Sequence, residues 1–171
     1  QGIAILAGTL PEVSLEDLVR KDGTIVILDQ ASDPRNIGAV LRSAAAFGAC
    51  GVIVQDRHAP PVTGTLCKAA SGAADLIPMV RTVNLSRALN ILKEAGYWCV
   101  GLDGKAKETL AEADLTGKVA LVLGSEGGGL RRLTRDQCDL FVRVPIINRV
   151  ESLNVSTAAA IALYELKREG G

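Results

Sequence analysis

Two patterns of apolar and polar positions alternate along the chain. The first pattern consists of short, nearly continuous apolar runs, rich in β-branched residues, at 24–29, 51–56, 78–83, 97–104, 118–126 and 140–146. Runs of this length and composition are typical of strands that are buried on both faces. They predict six strands.

The second pattern places small and apolar residues at helical spacing between these runs. It predicts helices at 14–19, 36–49, 63–75, 84–96 and 154–167. Ser14, Asn36 and Asn84 stand where N-caps are expected, and Gly96 stands at a helix end. Strands that alternate with helices predict an α/β fold, a mostly parallel sheet with helices on both faces.

Composition places the chain among ordinary globular proteins. Its 171 residues are 48% hydrophobic and 22% charged, which suits one core-forming domain. We expect a catalytic-type domain over 23–171 and a lead-in segment over 1–22. Because the chain does not begin with Met, we expect a further segment before Gln1.

The sequence predicts no membrane, metal or disulfide chemistry. No apolar stretch reaches the roughly 18 residues that cross a bilayer, and the start lacks the basic region of a secretory signal. The four cysteines contain no CxxC pair, and Cys50 and Cys99 flank apolar runs as small buried residues do. We expect a reduced, cytoplasmic setting.

The charge pattern allows nucleic-acid binding only through local patches, since the formal net charge is zero. Five arginines are candidates for such a patch: Arg35, Arg131, Arg132, Arg135 and Arg149. A solvated helix face explains such clusters equally well.

Three predicted strands end in unusual polar or glycine-rich sequence: "LDQASDPRNIG", "LVLGSEGGGL" and "VPIINRVESLN". In open parallel sheets, ligands bind beyond the carboxyl ends of the strands. The glycines in and after the end of the predicted strand 118–126 permit close approach of a ligand to the backbone. They match neither GxGxxG nor a P-loop, and Glu126 disfavours phosphate, so a cationic or neutral cofactor fits better. A simple chain-reversing turn is the alternative.

The other two strand ends leave alternatives open. Asn36 and Arg42 are about 600° apart around a helix, so they border one pocket only if Asn36 precedes the helix proper. Otherwise Arg42 extends to solvent. Ser152 and Asn154 stand at a helix start, where capping explains one of them but not both together with Asn148 and Glu151.

Three ordered motifs resemble those of one enzyme family, the SpoU (TrmH-like) branch of the SPOUT RNA methyltransferases. They are "NIGAVLRSAAAFG", "LVLGSEGGGL" and "VPIINRVESLNVSTAAAIALYE". The similarity extends over about 24–168. The segments "SGAADLIPMVRTVNLSRAL" and "GLRRLTRDQCD" resemble most closely the members that methylate guanosine in 23S rRNA.

The resemblance implies a SPOUT fold with a C-terminal trefoil knot, a homodimer, and transfer of a methyl group from S-adenosyl-L-methionine to a ribose 2'-hydroxyl of RNA. It implies cofactor binding by Gly124, Val144, Ile146 and Leu153. It implies that the catalytic residues are Asn36, Arg42, Glu126, Ser152 and Asn154.

Methylation of 23S rRNA is the expected function, and a tRNA 2'-O-methyltransferase is the alternative within the family. A non-catalytic rRNA-binding module would lack Arg42 or Asn154, and both are present. A Rossmann dehydrogenase needs GxGxxG after the first strand, and "LDQASDPRNIG" does not supply it.

Overall fold

The computed structural model describes residues 13–125, 127–147 and 149–169. The strands are β1 (Thr24–Leu28), β2 (Gly51–Gln55), β3 (Met79–Thr82), β4 (Trp98–Leu102), β5 (Glu108–Thr109), β6 (Val119–Leu123) and β7 (Leu140–Arg143). The helices are α1 (Leu15–Leu18), α2 (Pro34–Ala46), α3 (Gly64–Ala70), α4 (Leu85–Glu94), α5 (Arg132–Arg135) and α6 (Val155–Glu169). Two 3-10 turns lie at Ala73–Asp75 and Leu110–Glu112.

The strands form one sheet in the order β3-β2-β1-β6-β4-β7-β5. Every neighbouring pair is parallel, and Val26 in β1 lies opposite Val52 in β2 and Leu121 in β6. The predicted parallel α/β sheet and its six strands are thereby confirmed. The two-residue strand β5 was not predicted, because two residues are too few to show a period.

Both faces of the sheet are covered, which explains the continuous apolar runs. In β1, Val26 and Leu28 join a core cluster with residues of α2, α3 and α6, whereas Ile25 and Ile27 join a cluster with residues of α1 and α4. Successive side chains of a strand point to opposite faces. Each inner strand therefore needs apolar residues at every position.

The start of α2 differs from the prediction. Asp33 is the N-cap, and its Oδ1 accepts a hydrogen bond of 2.8 Å from the Arg35 N–H. Pro34 opens the helix, where its fixed φ is favourable and its missing N–H has no consequence. Asn36 therefore lies within the first turn of α2 and is not its cap.

Other helix boundaries follow the prediction within a few residues. Asn84 caps α4 by accepting from the Arg87 N–H at 3.1 Å, as expected. Gly96, with φ of +86°, follows the C-cap Ala95 and is not itself the cap. The helix predicted over 63–75 is interrupted at Ser71 and Gly72, which both have positive φ.

The described part of the lead-in is packed against the sheet. Leu18 of α1 is fully buried, and a Cβ added at Gly51 would lie 2.6 Å from Leu18 Cδ1. Residues 1–12 of the lead-in lie outside the described residues, and the domain boundary at 22 stays a prediction, as does the trefoil knot. Among the described helices, none is long and apolar enough to cross a membrane.

Candidate active site

A cavity of about 730 Å³ lies beyond the carboxyl ends of β4 and β6, next to the segment that follows β7. Its charged lining residues are Asp103, Lys105, Arg135 and Glu151. Its apolar lining residues are Leu102, Leu123, Leu130, Val144, Ile146, Leu153, Val155 and Ala158. Gly104, Ser152 and the described residues of the segment 124–129 complete it. The volume lies within the range of about 300–1,000 Å³ that is usual for small-molecule sites.

The glycine-rich segment after β6 forms one wall of this cavity. The Ser125 N–H donates to the Gly129 carbonyl at 3.2 Å, and the Gly129 N–H donates to the Ser125 carbonyl at 3.0 Å. These two bonds close the base of the segment. A Cβ added at Gly124 would lie 2.1 Å from the Gly129 carbonyl carbon, so only glycine fits there. Gly127 and Gly129 have φ of +75° and +63°, which glycine adopts without cost. The wall therefore presents bare backbone to the cavity.

All four residues that the resemblance assigned to the cofactor line this cavity: Gly124, Val144, Ile146 and Leu153. They come from two segments that are distant in sequence and meet at one edge of the sheet. Their role in binding a cofactor stays a prediction.

Two asparagines connect the starts of α2 and α6. Asn154 Nδ2 donates to Asn36 Oδ1 at 3.0 Å. Asn154 Oδ1 accepts from the Ser156 N–H at 2.9 Å and from the Ser156 hydroxyl at 2.6 Å, as an N-cap side chain does. The first and third motifs, 118 residues apart at this contact, therefore meet through side chains.

The remaining predicted catalytic residues are placed differently from one another. Ser152 lines the cavity. Arg42 lies on the exposed surface of α2 and does not line it. Glu126 lies outside the described residues. The described structure therefore places Ser152 in the cavity lining, joins Asn36 to Asn154 outside that lining, and leaves Arg42 on the exposed surface of α2.

Two of the five arginines in the predicted basic patch are held by carboxylates. Arg131 Nη2 lies 2.6 Å from Asp29 Oδ1. Arg135 Nη1 lies 2.6 Å from Asp103 Oδ2, and its guanidinium stacks 4.3 Å from the centre of the Phe141 ring.

A third arginine of this patch, Arg132, approaches Asp136 only to 3.9 Å and is largely exposed. The other two, Arg35 and Arg149, are exposed as well. These three remain the better candidates for contact with a polyanion.

Asp29 and Asp103 were missed by the sequence analysis. Each is the polar residue that directly follows a buried strand, β1 and β4 respectively. A carboxylate at that position was the available signal, because strand ends of a parallel sheet share one edge.

The pKa of one cavity carboxylate, Asp103, is lowered, and the Cys99 and Cys138 thiols are not reactive. The Lys105 backbone N–H and the Arg135 guanidinium lower the pKa of Asp103, so it is ionised at neutral pH. Burial raises the pKa of the Cys99 and Cys138 thiols to about 12. Thiols with so high a pKa are poor nucleophiles at neutral pH.

The two cysteines predicted to be small buried residues differ in exposure. Cys99 is fully buried, as predicted, whereas Cys50 is only half-buried and donates to the Asp22 carbonyl at 3.0 Å. In the described part of the chain, no group of three or more His, Cys, Asp or Glu side chains is placed to hold a metal ion.

These features define a class of protein. It is a parallel α/β domain with a cavity of small-molecule size beyond its strand ends, beside a polar cluster that joins two distant motifs. The family model described as "SpoU rRNA Methylase family" matches residues 23–164. The chain belongs to the SpoU rRNA methylase family.

A relative is similar along nearly the whole chain. The 23S rRNA (guanosine-2'-O-)-methyltransferase RlmB of Coxiella burnetii is 47% identical over 163 residues. The match covers 94% of this chain and 65% of that protein. The chain thus spans about two thirds of the length of this curated relative.

Solved structures share the fold. The AdoMet-bound rRNA methyltransferase from Sinorhizobium meliloti superposes with a TM-score of 0.84 and 28% identity, over 92% of this chain and 61% of that one. The SpoU methyltransferase AviRb from Streptomyces viridochromogenes, in complex with the cofactor AdoMet, has a TM-score of 0.77 and 32% identity. That superposition covers 85% of this chain and 57% of AviRb.

Proposed function

We propose that the protein transfers a methyl group from S-adenosyl-L-methionine to the 2'-hydroxyl of a ribose in RNA, a guanosine of 23S rRNA. The observation that carries this proposal is the strand-end cavity, lined by the four residues that the family motifs assign to the cofactor. The 47% identity to a 23S rRNA (guanosine-2'-O-)-methyltransferase supports the choice of substrate.

The cavity fits this cofactor in size and in chemistry. Its apolar side chains suit an adenine ring, and its bare glycine backbone offers N–H and C=O groups for hydrogen bonds. Its charged residues, Asp103, Lys105, Arg135 and Glu151, suit the amino and carboxylate groups of a methionine moiety. When bound, the cofactor supplies an electrophilic methyl group on a sulfonium.

The chain's own residues position the RNA. A guanidinium is not a base at neutral pH, so Arg42 has a different role. It holds a substrate phosphate and stabilises negative charge as it develops on the 2'-oxygen. Asn36, Ser152 and Asn154, together with Glu126, orient the ribose, and this orientation supplies much of the rate. A phosphate oxygen or water takes the proton.

Exposed arginines and an apolar surface complete the proposal. Arg35, Arg132 and Arg149 contact the RNA backbone, because they are exposed cations near the site. The large exposed apolar residues Ile147, Val150 and Tyr164 support a homodimer. Size-exclusion chromatography with light scattering tests the dimer, and a monomer at micromolar concentration would contradict it. We place the protein in the cytoplasm.

Calorimetric titration and RNA methylation test the function together. Wild-type protein should bind S-adenosyl-L-methionine and place one methyl group on a guanosine of 23S rRNA, located by mass spectrometry. Because Arg42 does not line the cavity, Arg42→Ala should abolish methylation and keep cofactor affinity.

Arg87→Ala is the matched control, since Arg87 is an exposed arginine on α4, on the other face of the sheet. Methylation of tRNA and not of 23S rRNA would show that tRNA is the substrate. Absence of cofactor binding by folded wild-type protein would refute the proposal.

A further inference from the structure

Asp29 holds both ends of the glycine-rich segment that walls the cavity. At the entry, the Asp29 N–H donates to the Leu123 carbonyl at 2.8 Å. At the exit, its carboxylate accepts from the Arg131 N–H at 3.0 Å and from Arg131 Nε at 2.7 Å. Arg131 Nη2 adds a contact of 2.6 Å. Asp29, which directly follows β1, therefore contacts this segment both where it leaves β6 and where it ends.

Burial of the Asp29 carboxylate restricts the movement of Arg131. The Asp29 side chain has 0% exposure, and that of Arg131 has 36%. A buried carboxylate must be paired, because leaving it uncompensated costs several kcal/mol. Two guanidinium nitrogens of Arg131 share Asp29 Oδ1, and the Arg131 backbone N–H binds Oδ2, so the contact fixes orientation as well as distance. Arg131 therefore cannot move away from Asp29 at low cost, and the backbone at Leu130 and Gly129 moves with it.

The backbone beside Asp29 has a second unusual feature. Gln30 has φ of +61°, a left-handed conformation that residues other than Gly, Asn and Asp seldom adopt. Such a conformation persists where the surrounding contacts hold it in place. The chain turns there toward α2, which carries Asn36 and Arg42. Asp29 thus links the segment that walls the cavity to the segment that leads to the proposed catalytic helix.

We propose that Asp29 and Arg131 are positioning residues that fix the glycine-rich wall in its cofactor-binding geometry. Neither lines the cavity, so they act through the backbone of 124–130. This proposal rests on the proposed function for the identity of the cofactor. Because Asp29 holds Arg131, we no longer expect Arg131 to contact RNA.

Two variants that keep the fold test this role. Asp29→Asn retains size and one acceptor, and Arg131→Lys retains charge and the backbone N–H. Each should weaken S-adenosyl-L-methionine binding by roughly tenfold, about the effect of losing one charge-assisted hydrogen bond. Arg87→Lys is the matched control, because Arg87 is an exposed arginine of α4, on the other face of the sheet. It should leave the affinity unchanged.

Coupling between the two residues separates positioning from general destabilisation. If they act as one unit, the double variant Asp29→Asn/Arg131→Lys should bind the cofactor about as weakly as either single variant. Titrations are run well below the unfolding temperature of each variant. Additive losses, or unchanged affinity with weaker RNA binding in Arg131→Lys alone, would overturn the proposal.

Hydrogen exchange of the ligand-free protein tests the positioning role without any cofactor. Amides of 127–130 should exchange faster in Asp29→Asn than in wild type, while amides of α4 stay protected. Faster exchange together with no cofactor binding by wild type would refute the proposed function but leave the positioning role intact. Unchanged exchange would refute the positioning role itself.

Discussion

Two aspartate–arginine pairs join the sheet to the region around α5, and they differ mainly in burial. The Asp29–Arg131 pair at the end of β1 has a carboxylate with 0% exposure. The Asp103–Arg135 pair at the end of β4 has side-chain exposures of 18% and 48%, and both of its members line the cavity. The N···O distance is 2.6 Å in both.

The distance between the charged groups therefore does not by itself show whether a pair maintains structure or is available to a ligand. Breaking a buried pair leaves a charge without solvent, which is strongly destabilising. Breaking a partly exposed pair allows water to replace the lost partner, so the cost is small. The first pair therefore maintains structure, and the second is available to a ligand.

Replacing Arg131 should have the largest effect on stability. Arg131→Met leaves Asp29 buried with only backbone donors, and we expect a loss of about 3 kcal/mol, the lower end for a broken buried pair. Urea unfolding followed by circular dichroism measures it. Arg135→Met, the matched variant in the other pair, should lose about 1 kcal/mol or less. Equal losses would contradict the distinction drawn from burial.

Adding a methyl group at Gly124 should have the next largest effect. A Cβ there would lie 2.1 Å from Gly129 backbone, and overpacking of this kind costs about 1–3 kcal/mol. Gly124→Ala should therefore lower the unfolding midpoint and weaken binding at the cavity. Gly128→Ala is the control, because its Cβ would approach only the Ser125 hydroxyl, at 2.8 Å. A stable Gly124→Ala protein would mean that the wall is not fixed by this backbone contact.

Loss of the neutral Asn36–Asn154 contact should cost less stability than loss of the Asp29–Arg131 pair and more than loss of the Asp103–Arg135 pair. Asn154→Ala removes the hydrogen bond to Asn36 and the cap on Ser156, and loss of such a cap costs about 1 kcal/mol. Thermal unfolding measures this change. Ser156→Ala keeps the contact with Asn36 and should cost less. If the Ser156→Ala protein were the less stable, the capping hydroxyl would matter more than the link between motifs.

The smallest expected effect is the pH dependence of stability at the partly exposed Asp103–Arg135 pair. The Lys105 N–H and then the Arg135 guanidinium lower the pKa of Asp103, so this carboxylate contributes stability above the ordinary aspartate pKa, about 4. This contribution is lost as the pH falls through the lower pKa of the folded state. Wild type should exceed Asp103→Asn in stability by about 1 kcal/mol or less at pH 6. The difference should shrink below pH 4, and a difference constant from pH 6 to 2.5 would contradict this origin. Unfolding curves across this range measure it.

Local sequence predicted most of the secondary-structure elements, and the cofactor role of the residues named by the family resemblance stays a prediction. Nearly continuous apolar runs located the main strands, and the caps at Ser14 and Asn84 were correct. The motifs named Gly124, Val144, Ile146 and Leu153, and the structure places all four around one cavity. The predicted start of α2 was wrong, because Asp33 and Pro34 together form a stronger helix-start signal than Asn36.

The amino-acid pattern was enough to establish the α/β class, the strands other than β5, the helices other than α5, and the three strand ends that carry polar or glycine-rich residues. These follow from side-chain period and turn chemistry, which act within a few residues. The tertiary structure alone decided that β6 lies between β1 and β4, and that Asp29 pairs with Arg131 across 102 residues. It also decided which arginines are held by carboxylates and which face solvent. The physical reason is that strand order and burial result from packing between distant segments, and no local period records them.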